Sequence, residues 1–196
     1  MSKSKLIFFL GGAGSGKTTL AKALSRKYKA VFLDMDILLR PAAEAIMTSH
    51  GLDPSDRDST EYKRLCRDLG YRITMDAALD NVQLDIDTVV VGPFTKEIEN
   101  PDWIKQELER IGRSLDDTDV RVAYIYLQDE TMHHQRITAR QSPLDEWKLS
   151  HWDTFRTSLA RRKVAWPLPA RSVAYIDNSH DDPSIAFAEL EQRMYE

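Results

Sequence analysis

The stretch Gly11-Gly12-Ala13-Gly14-Ser15-Gly16-Lys17-Thr18 narrows the possible folds of this chain more than any other. It fits G-x-x-x-x-G-K-[ST] at every fixed position. The glycines let the backbone curl until successive N–H groups converge on phosphate oxygens. A helix that opens directly behind the loop adds the positive end of its dipole. Lys17 brings a point charge to the β- and γ-phosphates of a nucleotide, and the Thr18 hydroxyl is the kind of oxygen that magnesium takes. The setting is also the required one. Leu6-Ile7-Phe8-Phe9-Leu10 reads as a buried strand before the loop, and Thr19-Leu20-Ala21-Lys22-Ala23-Leu24-Ser25 as a helix after it. Gly11 to Thr19 therefore forms the expected ATP-binding segment, with Mg2+ as its ion. A glycine-rich turn without a ligand would leave the fixed positions unexplained.

The rest of the chain repeats the strand-then-helix alternation. Short apolar runs recur at Val31-Phe32-Leu33, Val89-Val90-Val91, Val122 to Leu127 and Val173-Ala174-Tyr175-Ile176. Runs without polar alternation suit parallel strands covered on both faces. Between them, residues 16–28, 37–49, 60–82, 102–115, 129–141, 145–163 and 184–195 read as helices, and most prolines fall near their ends. The expected fold is α/β, a three-layer doubly wound sheet of about five parallel strands. At 196 residues the chain has room for one domain, 1–196. A net charge of −4 gives no global pull on nucleic acid or anionic membranes. Cys66 is the only cysteine, so neither a disulfide within the chain nor a cysteine zinc site can form. With no signal or membrane segment in view, a cytoplasmic location is expected. No feature sets an oligomeric state.

The second strand ends Phe32-Leu33-Asp34-Met35-Asp36. Strand alternation would put both carboxylates on one side, about 6–7 Å apart. One could hold a magnesium water while the other takes a proton from an attacking hydroxyl. Asp36 would serve equally as the cap of a helix starting at Ile37. The preceding phosphate loop favours joint function, because the ends of neighbouring parallel strands face one cleft.

Loop and acidic pair together resemble the small P-loop kinases of metabolites: shikimate and gluconate kinases, chloramphenicol phosphotransferase and the zeta-toxin-like kinases. The resemblance implies a nucleoside monophosphate kinase-like fold. It assigns Asp36 as base or substrate ligand and Asp34, with Thr18, to magnesium. The third strand, Thr88-Val89-Val90-Val91-Gly92, lacks the terminal Asp of motor and GTPase types, and this too is similar to the metabolite kinases. On the helix after the fourth strand, Arg136 and Arg140 share a face by their i,i+4 spacing. The resemblance gives adenine stacking to Arg136 and the phosphates to Arg140; two solvent-facing arginines are the plain alternative. It implies a short helical lid at about 141–152 and acceptor-site helices at about 37–82.

Several side chains carry two readings. Lys96 suits an anionic substrate group or a solvated surface, and Lys148 and Arg156 the lid chemistry or the surface. Arg40 suits the acceptor site or an ion pair with Glu44. Trp147, Trp152 and Trp166 read as packing residues. Leu65, Leu69, Ile73, Ala77 and Leu79 read as the core stripe of helix 60–82. Asp177-Asn178 would follow the last strand as a turn or a loop near adenine. The histidines show no metal-ligand spacing.

The combined expectation is an ATP-dependent kinase acting on a hydroxyl of an unidentified small molecule. Lys17, Asp36 and Arg140 would be catalytic. Two alternatives stand beside it: a polynucleotide 5′-hydroxyl kinase, against which the acidic balance argues, and an ATP-binding regulatory module without transfer, against which the acidic pair argues.

Overall fold

The computed structural model describes residues 3–195. Its centre is β1 (Lys5–Leu10), flanked by β3 (Thr88–Val91) and β4 (Asp119–Tyr126), with β2 (Val31–Asp34) and β5 (Val173–Asp177) outside them. All pairings are parallel, in the order β2-β3-β1-β4-β5. The expected doubly wound sheet of five strands is therefore the fold. β1 sends Leu6, Phe8 and Leu10 to one face and Ile7 and Phe9 to the other. Both faces are covered, which is why its sequence is apolar without a break.

On one face, α1 (Lys17–Tyr28) and α8 (Pro183–Tyr195) bury Leu20, Ala21 and Leu24 with Ala186, Leu190 and Met194. The other face is covered by α3 (Thr60–Gln83), α4 (Trp103–Glu109) and the stretch through Val164 and Trp166. There the Phe8 ring meets Trp166 at 4.9 Å, Phe94 at 5.3 Å and Trp103 at 6.2 Å, each edge-on, as aromatic quadrupoles prefer. α2 (Met35–Ser49) packs on α3 through Leu39, Ala43, Met47, Tyr62 and Cys66. A Cβ at Gly70 would stand 2.7 Å from Leu39 Cδ2, so glycine there lets the two helices close up.

Several expected boundaries are corrected. α4 ends at Glu109 rather than near 115, and the chain then turns through Gly112 at φ +68°. Pro41 lies inside α2 instead of at its end, which removes one hydrogen bond to the Ile37 carbonyl without stopping the helix. The single helix expected over 145–163 is a series of short pieces. A 3-10 turn (Pro143–Asp145), α6 (Glu146–Ser150), α7 (Trp152–Phe155) and another 3-10 turn (Arg156–Leu159) follow one another. Beyond Leu159 tertiary bonds outcompete the helix: the Tyr124 hydroxyl accepts from Arg162 N–H, and the Ile98 carbonyl from Ala165 N–H. Trp166 enters the core and its Nε1 donates to the Glu97 carbonyl at 2.8 Å. Trp147 and Trp152 are only half-buried.

The buried arc of α3 differs most from the sequence reading. Tyr62, Cys66, Gly70, Tyr71, Thr74, Met75, Ala78, Leu79 and Val82 are buried, while Leu69 is 37% exposed. Two partners explain this, with α2 taking Tyr62 and Cys66 and the sheet taking Tyr71, Met75 and Ala78. Thr74 is buried because its hydroxyl donates to the Gly70 carbonyl at 2.8 Å. A hydrophobicity stripe cannot anticipate a glycine and a threonine in that arc.

The arc can be tested by urea unfolding. Met75→Ala should cost roughly 2–5 kcal/mol, the range for truncating a buried long side chain. Leu69→Gln should stay within about 0.5 kcal/mol of the parent, as exposed substitutions do. The reverse ranking would show that α3 buries the other side.

Candidate active site

β1 runs straight into Gly11–Gly16, and α1 opens behind this loop at the carboxyl edge of the sheet. In a doubly wound sheet, ligands bind in the crevice outside that edge. The N-cap of α1 is Gly16 at φ +93°, with no side-chain cap and no acidic residue in the first turn. A helix start without a cap leaves its first N–H groups available. Among the described residues, the N–H groups of Gly14, Gly16, Lys17 and Thr18 meet no protein acceptor. The Ser15 hydroxyl is buried and equally unpaired. These donors suit the phosphate oxygens that the motif implies.

The loop carbonyls, by contrast, are bonded. Gly12 O accepts from the Lys17 ammonium at 2.8 Å and from Ser15 N–H at 3.3 Å. Ala13 O is 2.6 Å from His133 Nδ1, and Ser15 O accepts from Asn178 Nδ2 at 2.8 Å. A Cβ on Gly16 would lie 2.2 Å from that Asn178 nitrogen, so no other residue fits there. Asn178 is itself fixed at the end of β5. Its N–H donates to Tyr126 O at 3.0 Å, and its carbonyl accepts from Arg136 Nη2 at 2.9 Å.

The acidic pair is arranged differently from the sequence expectation. β2 stops at Asp34, and Asp34, not Asp36, caps the next helix: its Oδ1 accepts from Asp36 N–H at 3.0 Å. A capping carboxylate forces the chain into a helix at once. Asp36 therefore stands in the first turn of α2 and is exposed, not on the strand. The other oxygen of Asp34 accepts from the Thr18 hydroxyl at 3.2 Å. Burial pushes the Asp34 pKa up and the neighbouring Asp36 charge adds to this, against the pull of its hydrogen bonds.

The Lys17 ammonium is enclosed, and burial pushes its pKa down to about 8. Asp36 opposes that shift most strongly, Arg140 reinforces it, and Asp34 and Lys148 act more weakly in the same two senses. Lys17, Asp34, Asp36 and Arg140 are thus brought within electrostatic reach of one another. Arg136 is half-buried against Asn178, whereas Arg140 is exposed, 3.9 Å from Asp145. Thr19 is exposed in the first turn of α1.

Other expected roles sort as follows. Lys148 is not a plain surface charge. It donates to Asp145 at 2.9 Å and pairs with Asp58 at 3.6 Å, which joins the 141–150 segment to the loop between α2 and α3. Arg156 is a surface charge paired with Glu130. Glu44 pairs with Arg57 at 3.5 Å rather than with Arg40, which is exposed, as is Lys96. Asp36 also adds to the pull that, after burial, lifts Tyr62 to about 12. The sequence reading missed two residues that hold the loop, His133 and the Asn178 side chain. The only local signal was the place of Asn178 directly after the last strand. No group of three or more His, Cys, Asp or Glu suited to a metal occurs among the described residues.

The chain can now be set beside known proteins. It superposes on a candidate kinase from Chloroflexus aurantiacus J-10-fl with a TM-score of 0.67 at 15% identity, over 98% of this chain and 99% of that one. A sugar kinase from Janibacter sp. HTCC2649 gives 0.60 at 14% identity, covering 97% and 94%. A gluconokinase from Sinorhizobium meliloti 1021 gives 0.52 at 14% identity, covering 100% and 98%. Likeness at such identities is likeness of fold. No curated protein matches the sequence. The profile of the AAA domain family (AAA_33) matches residues 6–162, which take in the phosphate loop, the acidic pair and both arginines. The chain therefore belongs to this AAA domain family, with the fold of the small P-loop kinases.

Proposed function

We propose that the protein is an ATP-dependent phosphotransferase that moves the γ-phosphate to a hydroxyl of a small molecule. The observation that carries this reading is the exposed Asp36 carboxylate on the first turn of α2, within electrostatic reach of Lys17. The enclosed ammonium that would hold the phosphates has an exposed carboxylate as its foremost charged neighbour. A module that only binds ATP has no need of such a carboxylate, whereas a transferase needs an acceptor for the hydroxyl proton.

In this reading the whole chain, 1–196, acts as one unit, with N–H groups from Gly11 to Thr19 cradling the triphosphate. Lys17 neutralises charge on the β- and γ-phosphates, and Arg140 meets the charge that spreads over the transferring group. Arg136, braced on the Asn178 carbonyl, lies beside the adenine. Asp36 orients the acceptor hydroxyl and takes its proton as the oxygen attacks phosphorus and the bond to ADP breaks. Thr18 and Asp34, already hydrogen-bonded to each other, are the oxygens that would hold Mg2+. Held there, the ion would supply neutralisation of phosphate charge. α2 and α3 flank the acceptor, and the segment from Gln141 onwards excludes water as a competing acceptor. No helix among the described residues is long and apolar enough to cross a membrane, and a cytoplasmic setting fits a single buried thiol.

Two measurements test the reading. The first is ATP consumption with Mg2+ against sugars, antibiotics, nucleosides, polyol acids and oligonucleotides. We expect turnover with a small-molecule acceptor, and Asp36→Asn should lose roughly 10²–10⁴-fold while still binding ATP. Turnover with oligonucleotides alone would replace the small-molecule acceptor by a nucleic-acid end. Equal ATP binding in both proteins, with no turnover in either, would reduce the protein to a nucleotide-binding module.

The second measurement follows from the Lys17 pKa of about 8. Phosphate binding favours the charged ammonium, so at pH 8 ATP binding should take up about half a proton. Uptake should fade as pH falls below the Lys17 pKa, where the ammonium is already charged, and affinity should weaken as pH rises above it. Calorimetry in buffers of different ionisation enthalpy reads this directly. Uptake that persists unchanged in Lys17→Met would rule out Lys17 as its source.

A further inference from the structure

His133 takes no part in the chemistry above, yet it is buried (4% exposed) and touches the phosphate loop at three consecutive residues. Its Nδ1 is 2.6 Å from the Ala13 carbonyl. Its Cε1 would stand 3.3 Å from a Cβ on Gly12, and its own carbonyl oxygen 3.2 Å from a Cβ on Gly14. One turn on, Ile137 Cγ1 would lie 3.2 Å from that same Gly14 Cβ. α5 (Glu130–Ala139) thus presses the His133–Ile137 side of its surface against the back of the loop.

We infer that His133 is the positioning residue that sets the direction of the Gly14 N–H, and so tunes nucleotide affinity from α5. This rests on the nucleotide-binding reading of the loop. A carbonyl can only accept, so Nδ1 carries the proton in this contact. The ring is neutral at pH 7, because burial lowers its pKa from 6.5 and the nearby charges of Lys17 and Arg136 lower it further, with only the Ala13 carbonyl opposing. In a planar trans peptide the C=O and the next N–H point in opposite directions. The bond that draws the Ala13 oxygen towards α5 therefore turns the Gly14 N–H away from α5, and that N–H meets no protein acceptor. Without the bond the 13–14 peptide is free to rotate, and one phosphate donor is lost from the cradle.

The test compares His133→Leu, which removes the donor, with His133→Asn, whose amide nitrogen can replace Nδ1. Calorimetry should give an ATP Kd about tenfold weaker for His133→Leu, the cost of one lost buried donor. His133→Asn should recover to within about threefold of wild type. In the empty proteins, the Gly14 amide should exchange faster and shift its NMR resonance in His133→Leu, and return in His133→Asn. Equal Kd values in all three proteins would overturn the inference. So would equal losses in both variants with an unmoved Gly14 resonance, which is what a purely structural role would give. If wild type binds ATP no better than Lys17→Met, the nucleotide reading fails instead, and the Gly14 resonance still decides the role of His133.

Discussion

A loop of free N–H groups is unstable on its own, because each buried donor without a partner costs about 1–3 kcal/mol and the chain can relieve this by folding back on itself. The structure prevents that relief from the carbonyl side. Gly12 O is held by Lys17, Ala13 O by His133 and Ser15 O by Asn178, so three of the peptides that could rotate are fixed by side-chain donors, two of them from distant parts of the chain. With the carbonyls occupied, the N–H groups of Gly14, Gly16, Lys17 and Thr18 stay unpaired and available. The order of strands follows from the same need. β1 must be central for β4, β5 and α5 to reach the loop from one side while β2 delivers Asp34 from the other.

Charge is balanced around the same point. Burial lowers the Lys17 pKa, Arg140 and Lys148 push it further that way, and the balance with the nearby carboxylates leaves it at about 8. Asp36 and Asp34 counter them, and Asp34 has further duties as the cap of α2 and the partner of Thr18. One capping interaction thus does two things at once. It starts α2 within a residue of the strand end, and it fixes Asp36 on the first turn, within electrostatic reach of the ammonium. The strand spacing that seemed to link the two aspartates is replaced by helix geometry, which leaves Asp36 exposed and Asp34 buried.

Legibility in the sequence followed the range of the forces involved. The loop was readable because phosphate binding demands particular residue types at adjacent positions, and the five strands because two-sided burial leaves unbroken apolar runs. The α3 face was misread because it packs on two neighbours and admits Gly70 and Thr74, whose burial depends on Leu39 and on a local hydrogen bond rather than on hydrophobicity. The stretch 145–163 was misread as a helix because nothing local reveals that Arg162 and Ala165 will be claimed by Tyr124 and Ile98. His133 and Asn178 lie farthest from local pattern, 120 and 163 positions from the carbonyls they hold. A lone histidine on a helix carries no periodic signal that it will meet a loop in another part of the chain.

The two clamps also limit how the cleft can move. α5 is tied to the loop by His133 at Ala13 and to the end of β5 by Arg136 at Asn178, which is itself bonded to Ser15. A rigid-body shift of α5 would have to break one of these bonds and disturb the phosphate donors, so closure by that route works against binding. The segment after Arg140 has no such ties to the loop carbonyls. It consists of short helical pieces tied to the loop between α2 and α3 by Lys148, which lies between Asp145 and Asp58. Burial raises the Asp58 pKa, and the charges of Lys148 and Lys63 oppose that shift, so closure around this pair carries a desolvation cost. Opening can therefore hydrate one ion pair and leave the cradle intact, which separates access to the cleft from the geometry that holds the phosphates.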